Sequence, residues 1–139
     1  MSGTGLDLVV RARRAVVDGT LRSCSVGVRA GQIVAVTAYE AAPEAAEVTE
    51  LPADEVLLPG LVDTRKGALA VGRDADMCAF APDDSFVVDA AALRHRNAVS
   101  AYQGKRLTGV VRRTWLRGRL CPSPAGDERA GRLIRRAES

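Results

Sequence analysis

Histidine is almost missing from this chain: His95 is the single imidazole among 139 residues. One neutral nitrogen ligand falls short of the three or four protein ligands that zinc ordinarily takes, so His95 alone predicts neither a metal centre nor a catalytic one. Cysteine is sparse as well. Cys24, Cys78 and Cys121 are widely separated and no two form a C-x-x-C, which argues against a metal knuckle and, with no secretory leader in view, against a disulfide frame. Cys24 and Cys78 lie in apolar, strand-like surroundings and read as small buried hydrophobes. Aromatic residues make up only 4% of the chain, too few for a base-stacking platform. No apolar run approaches the roughly 20 residues of a membrane span, and Met1-Ser2-Gly3-Thr4-Gly5 is not a basic flank ahead of an apolar run. A cytoplasmic protein with no membrane partner is expected. The phosphate-binding, dinucleotide-binding and nucleophile-elbow glycine motifs are also lacking.

What is present is a chain with 47% hydrophobic residues, enough for one core and a single domain over residues 1–139. A complete (β/α)₈ barrel takes about 250 residues and does not fit. The formal charge of +3 is carried mainly by arginines spread along the chain, among them Arg11, Arg13, Arg14, Arg73, Arg94, Arg112, Arg113, Arg117 and Arg119. Carboxylates are interleaved with them, so no nucleic-acid partner is expected.

Residues 6–36 are short apolar runs broken by turn residues, and Asp18-Gly19 between β-rich runs is a hairpin signal because both central positions of the tight turn need positive φ. This half predicts an antiparallel meander. Residues 38–52 read as an acidic loop with a short strand near Val48, and Glu55-Val56-Leu57-Leu58 as a buried strand stopped by Pro59-Gly60. Farther on, residues 76–80 and 85–88 predict strands separated by a Pro82-Asp83-Asp84 turn. Asp89 then caps a helical turn, and residues 108–120 make the longest strand candidate, with a terminator at Gly118. The tail, residues 122–139, reads as peripheral with one short basic helix. About nine strands and scarcely any helix predict an all-β sandwich.

Two strings carry a resemblance. Leu57-Leu58-Pro59-Gly60-Leu61-Val62-Asp63-Thr64 is followed, across Arg65 alone, by Lys66-Gly67-Ala68-Leu69-Ala70-Val71-Gly72-Arg73-Asp74-Ala75-Asp76. The first resembles the entry to the metal-dependent barrel of the amidohydrolases, and the second the return from it. In that family a His-x-His pair follows the first string, whereas Arg65, Lys66 and Gly67 stand here and supply no such ligand. A third stretch places His95-Arg96-Asn97, then Ser100-Ala101-Tyr102-Gln103-Gly104, then Gly109-Val110-Val111 in the order seen in the cyclic-amide branch of the family, allantoinases and their dihydropyrimidinase relatives. Ser100-Ala101-Tyr102 replaces that branch's Thr-Pro-Tyr, so its turn is less rigidly preset.

The resemblance covers roughly residues 6–119. It implies a composite β-sandwich built from an N-terminal half, residues 6–64, and a C-terminal half, residues 66–121, that flank an absent barrel. On that reading Asp63, Thr64, Arg65, Lys66 and Gly67 form the barrel junction, and His95, Arg96, Asn97 and Tyr102 are contact residues rather than chemical ones. The two-metal zinc centre of the full-length parent would have no ligands here, so no catalytic residue, metal ligand or cofactor is expected in this chain. Asp74 and Asp76 read as carboxylates that satisfy turn amides ahead of a strand. Self-association through the surface that the barrel would cover is expected, with Leu61, Val62, Leu69, Val71 and the neighbourhood of Tyr102 as its apolar contributors, and a free-standing module binding a protein partner is the alternative.

Overall fold

A computed structural model of the chain describes residues 5–41, 43–60, 67–92 and 99–121. Its strands are β1 (Leu6–Val17), β2 (Thr20–Arg29), β3 (Gln32–Thr37), β4 (Ala45–Glu50), β5 (Val56–Pro59), β6 (Met77–Val87), β7 (Arg106–Leu116) and β8 (Arg119–Leu120). No helix occurs among the described residues, and the all-β expectation holds.

The turns follow the residues that were read as turn formers. Asp18 and Gly19, at φ 50° and 73°, join β1 to β2, and Ala30 and Gly31, at φ 50° and 80°, join β2 to β3. Positive φ at both central residues gives the turn whose twist matches that of the flanking strands. The meander β1-β2-β3 is antiparallel, as expected.

β1 organises the rest. Its core-facing residues are Leu8, Val10 and Ala12, then Ala15 and Val17, so the parity of the alternation changes once. A bulge between Ala12 and Ala15 makes that change and leaves the adjacent Arg13 and Arg14 out of the core. One edge of β1 pairs with β2 along its length. The other is shared by two parallel partners, β4 from Leu6↔Ala45 to Arg11↔Glu50 and β5 at Ala15↔Leu57. These parallel pairings make the sheet mixed, which a purely antiparallel reading of the first half did not anticipate.

The second half enters through β5, which pairs antiparallel with β6 from Val56↔Phe80 to Pro59↔Met77, and continues to β7 and β8. The strands form one hydrogen-bonded path, β3-β2-β1-β5-β6-β7-β8, with β4 attached to β1. This path curls over one core. At its β3 edge, Ile33 N–H donates to the Arg73 carbonyl and Gly72 N–H to the Ile33 carbonyl, both at 2.8 Å. Ala75 N–H donates to the Gly31 carbonyl at 2.9 Å, and Gly118 N–H to the Ala75 carbonyl at 2.8 Å. The core takes Cys24, Val26, Val28, Ile33 and Leu57 from the first half and Leu69, Met77, Ala79 and Trp115 from the second.

Three local expectations are corrected. Pro82-Asp83-Asp84 is no turn between two strands: β6 runs through it, and the irregularity between Ala81 and Ser85 absorbs those residues as an unpaired bulge beside β7. The final strand, expected over residues 108–120, runs instead over Arg106–Leu116, while the break at Arg117-Gly118, at φ 48° and 73°, falls at the expected terminator and sets off the short β8. Leu69, grouped in the sequence with the apolar residues flanking the junction, belongs to the core and is 1% exposed. The expected tail helix lies outside the described residues.

Candidate functional site

The chain leaves the first half at Gly60 and is next described at Gly67. Gly60 N–H donates to the Asp76 carbonyl at 2.7 Å, and a Cβ on Gly60 would stand 2.9 Å from that of Asp76, so the contact requires glycine. Asp76 in turn accepts the Arg117 N–H on Oδ1 at 2.8 Å, which ties the start of β6 to the β7-β8 turn. That bond supports the reading of Asp76 as a carboxylate satisfying a turn amide. Of the junction residues, Asp63, Thr64, Arg65 and Lys66 lie outside the described residues. Gly67 takes φ 86°, a conformation glycine adopts at no steric cost. Beyond it Val71 is 65% exposed, whereas Leu69 is buried.

The second set of expected residues belongs to the long connection from β6 to β7. His95, Arg96 and Asn97 lie outside the described residues; Tyr102 is described. Its neck is closed by Val88 N–H to the Lys105 carbonyl at 2.9 Å and Gly104 N–H to the Val88 carbonyl at 2.8 Å. Gln103 Oε1 accepts the Ala90 N–H at 2.5 Å, and Ser100 Oγ accepts the Tyr102 N–H at 3.1 Å. In this Ser-Ala-Tyr-Gln-Gly segment the glutamine and glycine hold the loop shut, while the tyrosine ring stands outside it. Tyr102 is 55% exposed, with Lys105 Nζ at 5.7 Å from its ring centre. An exposed ring at a tied loop can touch another surface.

Sequence reasoning missed a polar cluster on the outer face of β1. Tyr39, in the connection from β3 to β4, is nearly buried beneath Arg11 and Arg13, whose guanidinium carbons lie 4.4 and 5.0 Å from its ring centre. The Tyr39 hydroxyl donates to Glu50, and Arg11 also reaches Glu50 at 3.4 Å. The Tyr39 carbonyl accepts from both Arg11 and the buried Ser25 hydroxyl at 3.1 Å. The hydrogen bond from Tyr39 holds the Glu50 carboxyl below its ordinary range, assisted by the two arginines. The same bond, together with burial, pushes the Tyr39 phenol up. Arg11 and Arg13 share a face by strand alternation, but only the parallel Arg11↔Glu50 register brings the carboxylate to them. Local sequence gives no sign of that pairing.

Among the described residues, no three of His, Cys, Asp and Glu come together as a metal-holding group. The described residues alone therefore do not supply the ligands of a two-metal centre. Burial pushes the Cys24 thiol up, with partial opposition from Arg22, and burial alone does so for Cys78. That is the reverse of what activates a nucleophilic cysteine. A cleft of about 550 Å³ lies where the Ala30-Gly31 and Arg117-Gly118 turns meet. Its wall includes Asp7, whose carboxylate is engaged by the Ala30 N–H at 2.6 Å.

No family model matches the chain. It is 55% identical over 73 residues to the allantoinase of Streptomyces avermitilis, a match that spans 52% of this chain and 16% of that protein. To probable allantoinase 2 of Dictyostelium discoideum it is 51% identical over 77 residues, 55% of this chain and 15% of the relative. The D-hydantoinase of Ralstonia pickettii is 31% identical over 75 residues, again 52% and 16%. Among solved structures, a D-hydantoinase matches 41% of this chain and 12% of its own at 36% identity with a TM-score of 0.36. The matched stretch thus spans about one sixth of the length of these curated relatives. Over the half of it that these relatives match, the chain is similar in sequence to allantoinases and to a D-hydantoinase, an allantoinase-like stretch.

Proposed function

We propose that this chain is the non-catalytic composite β-domain of an allantoinase-like cyclic amide hydrolase. In the parent, a barrel entered after Thr64 and left before Lys66 would hydrolyse the ring amide of allantoin or a related hydantoin at a two-metal zinc centre. This domain would brace that barrel and support contacts between subunits. The observation that carries the reading is the pairing of β5 with β6, which closes one sheet and one core from segments on either side of residues 61–66. The names of the relatives give the parent reaction its class.

The donor set supports a chain that does no hydrolysis itself. It has one histidine, and Arg65 and Gly67 stand at the positions of the family's ligand pair, where neither side chain supplies a neutral nitrogen ligand. The test is direct. Purified chain supplied with zinc should neither open the allantoin ring nor retain metal after gel filtration. Ring opening, or two tightly held zinc ions per chain, would overturn the reading.

The exposed Val71 and Tyr102 favour an accompanying reading in which a second copy covers the surface that would face the barrel.

A further inference from the structure

The two halves of the chain meet through contacts that all lie between described residues on opposite sides of residues 61–66. β5 offers β6 four consecutive register pairs. Around the curled sheet, Gly31, Ala75 and Gly118 are bonded in series, carbonyl to N–H, so that one residue of the second half is held between its own β7-β8 turn and a hairpin turn of the first. The fit there is close. A Cβ on Gly118 would stand 2.7 Å from Val28 Cγ1, and one on Gly31 would stand 3.0 Å from the Arg117 Cβ. Buried Glu55 of the first half faces Arg113 of the second at 3.4 Å. The single tryptophan, Trp115, shares the core with Leu57 and Val28 and is 2% exposed.

We propose that residues 5–60 form a specific receptor for residues 67–121, and that the two remain bound as separate polypeptides once the connection between them is cut. The connection contributes effective concentration, on the order of millimolar for a short link, and none of the contacts above. The partner recognised has a defined chemistry. It is a strand that presents Met77 and Ala79 to an apolar core, preceded by a segment whose Ala75 N–H reaches the Gly31 carbonyl and followed, after β7, by a turn with glycine at its second position. The inference stands on the geometry of the two halves and is independent of any link to a hydrolase.

The experiment uses the full chain with a protease recognition sequence placed after Arg65. The folded protein is cleaved and followed by gel filtration and by Trp115 emission, with the uncut insertion variant alongside. The two pieces should elute together at about 10 μM, well below the effective concentration that the link supplied, with the emission of the uncut chain, and part only in denaturant. Arg113→Met in the cut chain should raise the concentration needed for co-elution about tenfold, while the uncut Arg113→Met chain stays folded. Separation of the pieces at 10 μM, or emission moving to that of a water-exposed indole on cutting alone, would overturn the proposal. Unfolding of the uncut insertion variant would overturn it too, since the pairing would then depend on the native join.

Discussion

Gly118 and Gly19 occupy equivalent places in two Xaa-Gly turns and share one backbone conformation, φ 73°. Their surroundings differ completely. A Cβ on Gly19 would meet nothing within 4 Å, whereas one on Gly118 would stand 2.7 Å from Val28 Cγ1. Val28 is 1% exposed and its branched side chain is stiff at χ1, so it cannot swing aside as the end of a long side chain could. Gly19→Ala therefore measures the backbone cost alone, about 1 kcal/mol after the gain from a less flexible unfolded chain. Gly118→Ala carries the same cost plus overpacking of about 1–3 kcal/mol, for a total of about 2–4 kcal/mol. Urea unfolding of both variants, followed by far-UV circular dichroism, gives the difference. Placing each in a Val28→Ala background should remove the excess at Gly118 and leave Gly19 unchanged, a coupling that a double-mutant cycle reads directly. If the two alanines cost the same within about 0.5 kcal/mol, the close fit of the β7-β8 turn against β2 does not contribute to stability and the argument for the interlock fails.

Three further outcomes are expected. Because the Glu50 carboxyl titrates below its unfolded value, its contribution is complete above the ordinary carboxylate range and is lost as pH falls through the folded value; the raised Tyr39 phenol contributes below the ordinary phenol range and is lost as pH rises through its folded value. Glu50→Gln should flatten both limbs of a stability-pH curve, and a curve with unchanged limbs would remove the cluster from the account. A thiol reagent at mildly alkaline pH should modify exposed Cys121 fastest, half-buried Cys78 more slowly, and buried Cys24 only as fast as the chain opens, since burial pushes the Cys24 and Cys78 thiols up; equal rates at the three sites would contradict the structure. Light scattering should show association rising with concentration and weakened by Val71→Asp or Tyr102→Asp, and a strict monomer indifferent to both changes would eliminate the second-copy reading.

The hairpins were legible because their chemistry is local: Asp18-Gly19 needs no information from elsewhere to turn the chain. The buried strand ending at Pro59-Gly60 was legible for the same reason. What local pattern could not reveal was partner choice. β1 looks like an ordinary meander strand, yet it gives one edge to two parallel strands, and the Arg11-Tyr39-Glu50 cluster exists only because of that register. The bulge at Ala12 was hidden as well, since Arg13-Arg14 looks like a break in the alternation until the parity change places both outside the core. Leu69 was misplaced because its neighbours Gly67 and Val71 mark a loop, and sequence does not show that the loop folds back over the core. Of the site residues, Gly67 and Tyr102 are among the described residues, and Tyr102 is exposed at a closed loop.

The series of bonds through Gly31, Ala75 and Gly118 has a consequence for synthesis. The hairpins of the first half are local and can form as soon as they emerge, but Ile33 and Val28 have no complete cover until the turn at Gly118 has been made. At about 5–20 residues per second, the stretch from Gly60 to Gly118 takes roughly 3–12 s to follow. During that interval a nascent chain carries an open sheet edge and half a core, the state most exposed to wrong pairing with a neighbour on the same message. A slow stretch of translation after Gly60 should lengthen that exposure and lower the soluble yield, whereas slowing after Gly118 should leave it unchanged.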